Sequence, residues 1–414
     1  MNVFGKEQSL SKGFHHGTHR TRPPAETVRE YWPLHERLGV TRLANVTGLD
    51  YVGIPVYTAI RPNARSLSVS QGKGLDEDAA RASALMESIE LWHAERIAAP
   101  LRYESYAELS QSACVVDIHR LQRLPGALVH EGAPILWIEG FDLMQERPTW
   151  VPFETVNLNN VGSPSATPMF GSGSNGLASG NHVLEAITHG LCELIERDTT
   201  TLFYQLKPED QRRRRVRRET VPSPACQHLL QCFERADIDV GVLDLTLDLG
   251  VPTYMCVIAE RPGRPHWRRL GAFLGYGTNP SAEVAFIRAV TEAAQSRLTI
   301  IAGNRDDNPQ HRLNYGFDER VEALLRAKYL DIPEVLDISE RPSLSTPTFE
   351  GDVGVLLSAL RGIGIESAIA VDLTRPDIGI PVVKMVVPGL EGMLQHGSYE
   401  PGERALAFAR KQWS

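Results

Sequence analysis

Two pairs of glutamates, Glu87/Glu90 and Glu193/Glu196, and the related pair Glu292/Gln295 carry the spacing most suited to chemistry. In a helix, residues i and i+3 lie on one face, and two like charges there are mildly destabilising. Service as oxygen ligands for a hard cation gives such a pair a purpose. Mg²⁺ is held by a few carboxylates, with phosphate oxygens and water completing its octahedron. The plainer alternative is that these glutamates face water or pair with Arg96 and Arg197. For one Glu-x-x-Glu that alternative wins most of the time; two pairs in matching contexts favour metal. Glu185, His189, Glu193, Glu196 and Arg197 extend the second pair into a polar stripe at i, i+4, i+8, i+11 and i+12.

The elements that must position these groups show an internal echo, at Ser66 to Glu95, Gly171 to Thr200 and Gly271 to Leu298. Each segment reads as a small-residue, Gly-bearing loop and then a helix without internal Pro. Ala84, Leu85, Ile89 and Leu91 recur at helical spacing in the first, and Val183, Ile187, Leu191, Leu194 and Ile195 in the second. Asp76 or Asp78 can cap the first helix and Asn181 the second. Loop and helix-start N–H groups of this kind bind anionic oxygen. The spacing from loop to acid pair varies, so the echo is recurring local architecture and not a solenoid. Gly72-Lys73-Gly74 is not a Walker A loop, and no G-x-G-x-x-G opens a helix after a strand. Candidate strands are Gly53 to Ala59, Ala133 to Ile138, Val240 to Leu245, Thr253 to Ile258, Ser367 to Asp372 and Pro381 to Val387. With the helices between them they predict an α+β fold of mixed sheets.

Composition excludes several classes. The 414 residues are 42% hydrophobic and 23% charged, which suits a globular enzyme with an ordinary core. A net charge of -8 argues against a general polyanion binder, so no nucleic acid is expected as partner. No apolar run is long enough to span a membrane, and Met1 to His19 lacks a signal-like apolar stretch. Five cysteines without a C-x-x-C pair suggest a reduced, cytoplasmic protein. His15, His16 and His19 read as a flexible polar segment and not as a metal site. Arg212 to Arg218 reads as a solvated loop beside Glu209 and Asp210, with docking of an acidic peptide or a nucleic acid as the alternative. Glu400 to Ser414 is expected to form a short helix.

The quoted segments resemble the YcaO family. Its marks stand here as S-x-G-K-G and S-A-L-x-E-x-x-E within Ser70 to Glu90, a long S-N-G-x-A-x-G motif through E-R at Ser174 to Arg197, and E-x-x-Q-x-R at Glu292 to Arg297. The likeness runs from about Arg20 to Glu391. It implies one YcaO domain over 1–414, with an N-terminal segment 1–60, an ATP- and Mg²⁺-binding core 61–310 of non-Walker design and a C-terminal part 311–414. By match, Glu87, Glu90, Glu193 and Glu196 would face metal. Ser70, Lys73, Asn181, Glu185 and Arg197 would lie on the nucleotide side, and Arg297 matches a phosphate-contacting arginine. Arg20 and Thr27 resemble a basic and a hydroxyl residue near phosphate. Leu91 departs from the Arg common after the first acid pair.

The resemblance also implies a reaction. A nucleophile adds to a peptide amide carbonyl, the oxyanion attacks ATP at the γ-phosphorus, and the oxygen leaves as phosphate. The protein positions the groups and neutralises charge. No general base is named by the sequence. A Cys, Ser or Thr side chain as nucleophile gives an azoline; sulfide gives a thioamide. Ring-forming members resemble one another in a proline-rich end, which Ala409 to Ser414 lacks. V-D-L-T at Val371 to Thr374 and V-P-G-L-E at Val387 to Glu391 instead look like the branch paired with TfuA-type partners and linked to thioamides. A separate TfuA-like partner, a peptide or protein substrate and possible homodimerisation are the expected associations. A non-catalytic accessory factor for ribosomal-protein modification, an azoline-forming cyclodehydratase and an ATP-dependent amine–carboxylate ligase are the alternatives.

Overall fold

Three times the chain builds an edge strand and crosses it with a helix that carries one of the acid pairs. The computed structural model describes residues 1–15, 17–162, 168–263, 270–303, 305, 317–392 and 399–413. His16 and Ser414 therefore lie outside the described residues. The first unit is an antiparallel meander, β1 (Arg42–Asn45), β2 (Val56–Ile60) and β3 (Val69–Lys73), followed by helix α1 (Glu77–Ala94). The second contains β4 (Leu101–Ser105), β5 (Pro134–Asp142), β6 (Arg147–Pro152), β7 (Leu177–Ser179) and helix α2 (Val183–Phe203). The third is a second meander, β8 (Ile238–Asp244), β9 (Thr253–Glu260) and β10 (Ala272–Thr278), followed by helix α3 (Ala282–Ala302). Strands β11 (Ile369–Asp372) and β12 (Val382–Val386) return to the middle sheet. Its order is β6-β5-β11-β12-β7, with β4 paired to β5, antiparallel throughout. Mixed helices and sheets are the α+β architecture expected of the sequence.

All six candidate strands form, with their ends shifted. The error lies in the echo segments. Gly72, Gly275 and Gly277 were read as loop residues, but they sit inside β3 and β10. A Cβ on Gly72 would come within 2.0 Å of the Ala84 nitrogen, and one on Gly275 within 2.2 Å of the Ala293 nitrogen. Glycine is present because each helix backbone lies directly on its strand. Alternation does not reveal these strands, because both sheet faces are buried. In β9, Tyr254, Cys256 and Ile258 pack with Phe286, Ala289 and Ala293, while Met255, Val257 and Ala259 pack with Phe203 and Tyr329.

The three units close on one another in a cycle. Helix α1 reaches β7, α2 reaches β10, and α3 reaches back to β3. Polar links mark the joints. Ser179 N–H and Oγ donate to Glu90 at 2.8 Å each, Tyr204 and Tyr276 hydroxyls are 2.8 Å apart, and Thr299 Oγ1 donates to Gln71. Asp76 caps α1, accepting from the Ala79 N–H at 2.8 Å. Helix α2 departs from expectation: His182, not Asn181, is its cap. The Asn181 N–H is instead taken by Glu185 at 2.7 Å, a carboxylate reaching back from the first turn.

Two further readings are corrected. His15 and His19 belong to a hairpin of Gly13–His15 and Thr18–Arg20, and burial pushes His19 down to about 4. The arginine run is solvated only at its start, where Arg212 and Arg213 are exposed and Arg213 lies 3.6 Å from Asp210; the rest turns inward. Arg215 is buried and donates to the Leu330 carbonyl at 2.6 Å, and Arg214 donates to the Asp244 and Thr246 carbonyls. Arg217 pairs with Asp337, and Arg218 with Glu234 and Glu334. The run clamps the 329–337 segment, through acids more than a hundred residues away that local reading does not connect. All five cysteines are unpaired. Among the described residues no helix is long and apolar enough to cross a membrane.

Candidate functional site

The three edge strands present the same backbone group to the same kind of acid. Glu87 accepts from the Gln71 N–H at 3.1 Å, Glu193 from the Gly176 N–H at 3.1 Å, and Glu292 from the Tyr276 N–H at 3.2 Å. The sequence separations are 16, 17 and 16 residues, so this one bond is the physical content of the echo. An edge strand leaves N–H groups without a ladder partner; here a glutamate from the crossing helix satisfies each. These N–H groups hold carboxylates, not phosphate, which corrects the reading of the segments as anion-binding loops. Each bond fixes one glutamate and leaves its partner at i+3 beside it, at the centre of the cycle.

The centre is a cavity of about 730 Å³. Among its lining residues are Glu87, Glu90, Glu193, Glu196 and Glu292, with Lys73, Asn181, Glu185 and Arg197. Arg20 and Thr27 line it from the N-terminal side, and Thr27 Oγ1 donates to Asn181 at 3.1 Å. Ser70 does not line it: its side chain is buried within β3 with Oγ unpartnered. Arg297 does not line it either. Its guanidinium is spent on Asp50, at 2.8 and 3.2 Å, and on Glu260, at 3.1 Å. The arginine that α3 turns into the cavity is Arg288, with Arg305 just beyond the helix. Neither was singled out from sequence. The helical period carries the signal: Arg288, Glu292, Gln295 and Thr299 recur at i, i+4, i+7 and i+11.

The charges sort into three groups. Lys73 pairs with Glu292 at 2.5 Å, and Arg197 bridges Glu193 and Glu196 at 3.4 and 3.5 Å. Burial pushes Glu292 up, but Lys73 and Arg197 outweigh that and hold it below its ordinary value. Among the described residues Glu87 and Glu90 are in no ion pair, though the charges of Arg305 and Lys73 act on Glu87. Burial pushes Glu90 up to about 8, against the hydrogen bonds from Ser179 and with help from Glu87. Burial also raises Glu87 and Glu196. Conversely, neither Arg20 nor Arg288 forms an ion pair with a described carboxylate. Surplus carboxylate and surplus guanidinium in one cavity fit a divalent cation together with a polyanion. Among the described residues no three acids or histidines converge on one point.

Comparison with known proteins decides the family. Residues 71–391 match the family described as YcaO cyclodehydratase, ATP- and Mg²⁺-binding. The chain belongs to the YcaO family. A Methanothermobacter thermautotrophicus protein of undescribed activity is 36% identical over 381 residues, covering 89% of this chain and 94% of the relative. A protein of Rhizobium leguminosarum bv. trifolii, named for its position in the tfuA 3′ region, is 33% identical over 403 residues, 94% of this chain and 92% of its own. YcaO from Methanopyrus kandleri, solved with AMPPCP and Mg²⁺, superimposes with a TM-score of 0.71 at 24% identity, covering 94% and 97% of the two chains. A heterocyclase solved with substrate and cofactor gives a TM-score of 0.77 at 24% identity over 96% of this chain, which spans 56% of that longer one. As a YcaO protein the chain is an ATP-dependent, amide-activating, peptide-modifying enzyme that uses ATP and Mg²⁺.

The raised glutamates make this YcaO cavity pH-sensitive in a definite direction. A carboxyl whose folded pKa is raised holds more protons in the native than in the unfolded state, so stability falls as pH climbs. For Glu90 the loss begins above its ordinary 4.5 and is complete as pH passes about 8. Bound metal needs the ionised ligand, so metal binding releases protons. The metal-free protein is expected to melt progressively lower from about pH 6 to pH 9, while Mg²⁺-nucleotide affinity rises over the same interval. Scanning calorimetry, and titration in buffers of different ionisation enthalpy, check both signs.

Proposed function

We propose that this cavity holds ATP through Mg²⁺ at Glu87, Glu90, Glu193 and Glu196, and that amide activation there yields a thioamide. Sulfide is the external nucleophile and a TfuA-like protein the partner. What carries the finer reading is the relative named for its place beside tfuA, alike over 94% of this chain. The V-D-L-T and V-P-G-L-E segments support it. So does the placement of the last described helix, Glu403–Trp413: Arg404 pairs with Asp198 at 2.9 Å, and no described residue of 399–413 lines the cavity.

The chain's own groups divide the work. Asn181, Glu185 and Thr27 supply hydrogen-bonding oxygen and nitrogen for the nucleotide. Lys73 and Arg197 hold Glu292 below its ordinary value, and Arg197 bridges Glu193 and Glu196. Arg20 and Arg288 offer uncompensated positive charge to phosphate oxygens. Mg²⁺ supplies neutralisation of phosphate charge. HS⁻ adds to the carbonyl carbon, the oxyanion takes the γ-phosphoryl group from ATP and releases ADP, and as the C–O bond breaks the sulfur gives up its proton to the departing phosphate and the C=S bond forms. HS⁻ is already ionised near neutral pH and asks less of a base than a substrate hydroxyl does. The test is reconstitution with ATP, Mg²⁺, sulfide, the TfuA-like protein and precursor peptide. A gain of about 16 Da at a residue other than Cys, Ser or Thr is expected, the exchange of one oxygen for sulfur. A loss of about 18 Da confined to Cys, Ser or Thr would show cyclodehydration instead and overturn the thioamide reading while leaving amide phosphorylation intact.

A further inference from the structure

One member of the α2 stripe has no part in the scheme above. His189 lies between Glu185 and Glu193 on the cavity wall. Its Nε2 is 3.0 Å from Nη2 of Arg288 on α3. Burial, and then the charges of Arg288, Arg20 and Lys73, hold this imidazole far below its ordinary range. The ring is therefore neutral: the guanidinium donates, Nε2 accepts, and the remaining proton sits on Nδ1.

Arg288 needs such a partner. It forms no ion pair with a described carboxylate, and its Nε is buried without a hydrogen bond. Fixing a free arginine in one pose costs rotamer entropy. Two acids could draw it away. Glu292 lies one turn along α3, engaged by Lys73, and Glu196 faces it from α2, engaged by Arg197. Pairing with either would cancel the charge Arg288 brings to the cavity. A neutral acceptor behaves differently, since it fixes the direction of a guanidinium and leaves its full charge available. His189 is such an acceptor, and it rises from the helix that also carries Glu193 and Glu196.

We propose that His189 is a positioning residue that aims Arg288, still fully charged, at the polyphosphate of the bound nucleotide. This rests on the reading of the cavity as the ATP site. Binding of AMPPCP with Mg²⁺, and of AMP, is to be measured by calorimetry on the intact protein and on His189→Ala, His189→Gln and His189→Glu. His189→Ala is expected to weaken AMPPCP about tenfold, the scale of one hydrogen bond to a charged group. AMP, which lacks the outer phosphates, should change less than about twofold. His189→Gln restores an uncharged acceptor and should recover most of the loss. His189→Glu restores an acceptor but pairs with Arg288, and so should stay weak. Arg288→Gln should match His189→Ala, and the double variant should be no worse than either, the mark of residues acting as one unit. If His189→Ala does not fold, His189→Leu, which fills the space without an acceptor, takes its place in the cycle. Equal losses for AMP and AMPPCP, or additive losses in the double variant, would overturn the positioning role. An intact protein that fails to bind AMPPCP would overturn the ATP-site reading itself, a distinct failure that takes this proposal with it.

Discussion

Glu193→Gln and Glu87→Gln are each expected to remove Mg²⁺-dependent nucleotide binding while the fold survives. The amide keeps the length and an oxygen acceptor, so the bonds from the Gly176 and Gln71 N–H groups can persist. Only charge is lost. In a cavity where Glu87, Glu90 and Glu196 are already pushed toward protonation, losing one charge relieves repulsion in the metal-free protein. Its melting temperature should hold or rise, as at sites where function is carried at a cost in stability. With Mg²⁺ present the sign reverses. A hard cation that relies on two protein carboxylate pairs loses part of its shell, and AMPPCP affinity should fall about a hundredfold or more, near 2.7 kcal/mol. Calorimetry with and without Mg²⁺ checks it. Wild-type affinity and wild-type Mg²⁺ dependence in both variants would rule out these glutamates as the metal site.

The acid pairs were legible because helical spacing is local: i and i+3 share a face whatever the rest of the chain does. The six longer apolar strands were legible for a similar reason. What failed was information that lives in contacts. β3 and β10 carry glycine because α1 and α3 press on them to within a Cβ's reach, while Gly176, just before β7, and Gly190, in α2, leave room around Met385. From sequence alone such glycines mean loop. Arg215 and Arg218 find Glu334 more than a hundred residues on, so the second half of a run that reads as a solvated surface is a clamp. Helix α2 begins one residue later than expected, with His182 as cap, and the Asn181 side-chain oxygen accepts from Thr27 instead. On α3 the motif points to Arg297, whereas the arginine of this helix that lines the cavity is Arg288. The two are 297 − 288 = 9 residues apart, about two and a half turns at 3.6 residues per turn, and therefore on opposite faces. Glu292 and Gln295 lie with Arg288. The period that grouped the acids was sufficient to choose between the arginines.

Arg297→Ala is accordingly expected to act on stability before it acts on nucleotide. The side chain is 1% exposed, and its partners Asp50 and Glu260 are 2% and 3% exposed. One guanidinium ties three parts of the chain together: the β1–β2 connection through Asp50 and the Tyr51 hydroxyl, the end of β9 through Glu260, and α3 itself. Removing it takes this buried charge partner away from both Asp50 and Glu260. Breaking a buried pair in this way costs about 3–5 kcal/mol, far above the worth of a surface ion pair. Arg297→Lys should recover little, since an ammonium cannot hold Asp50 through two nitrogens while reaching Glu260. Asp50→Asn should destabilise too, but less, because Glu260 still balances the guanidinium. The measurement is a denaturant or thermal melt of each variant beside AMPPCP titration of the folded protein. A several-degree loss of melting temperature with near-normal affinity in the folded fraction is the expected pair of results. A wild-type melt with affinity lost would instead place Arg297 on phosphate, and would mean that α3 rotates its far face toward the nucleotide when one binds.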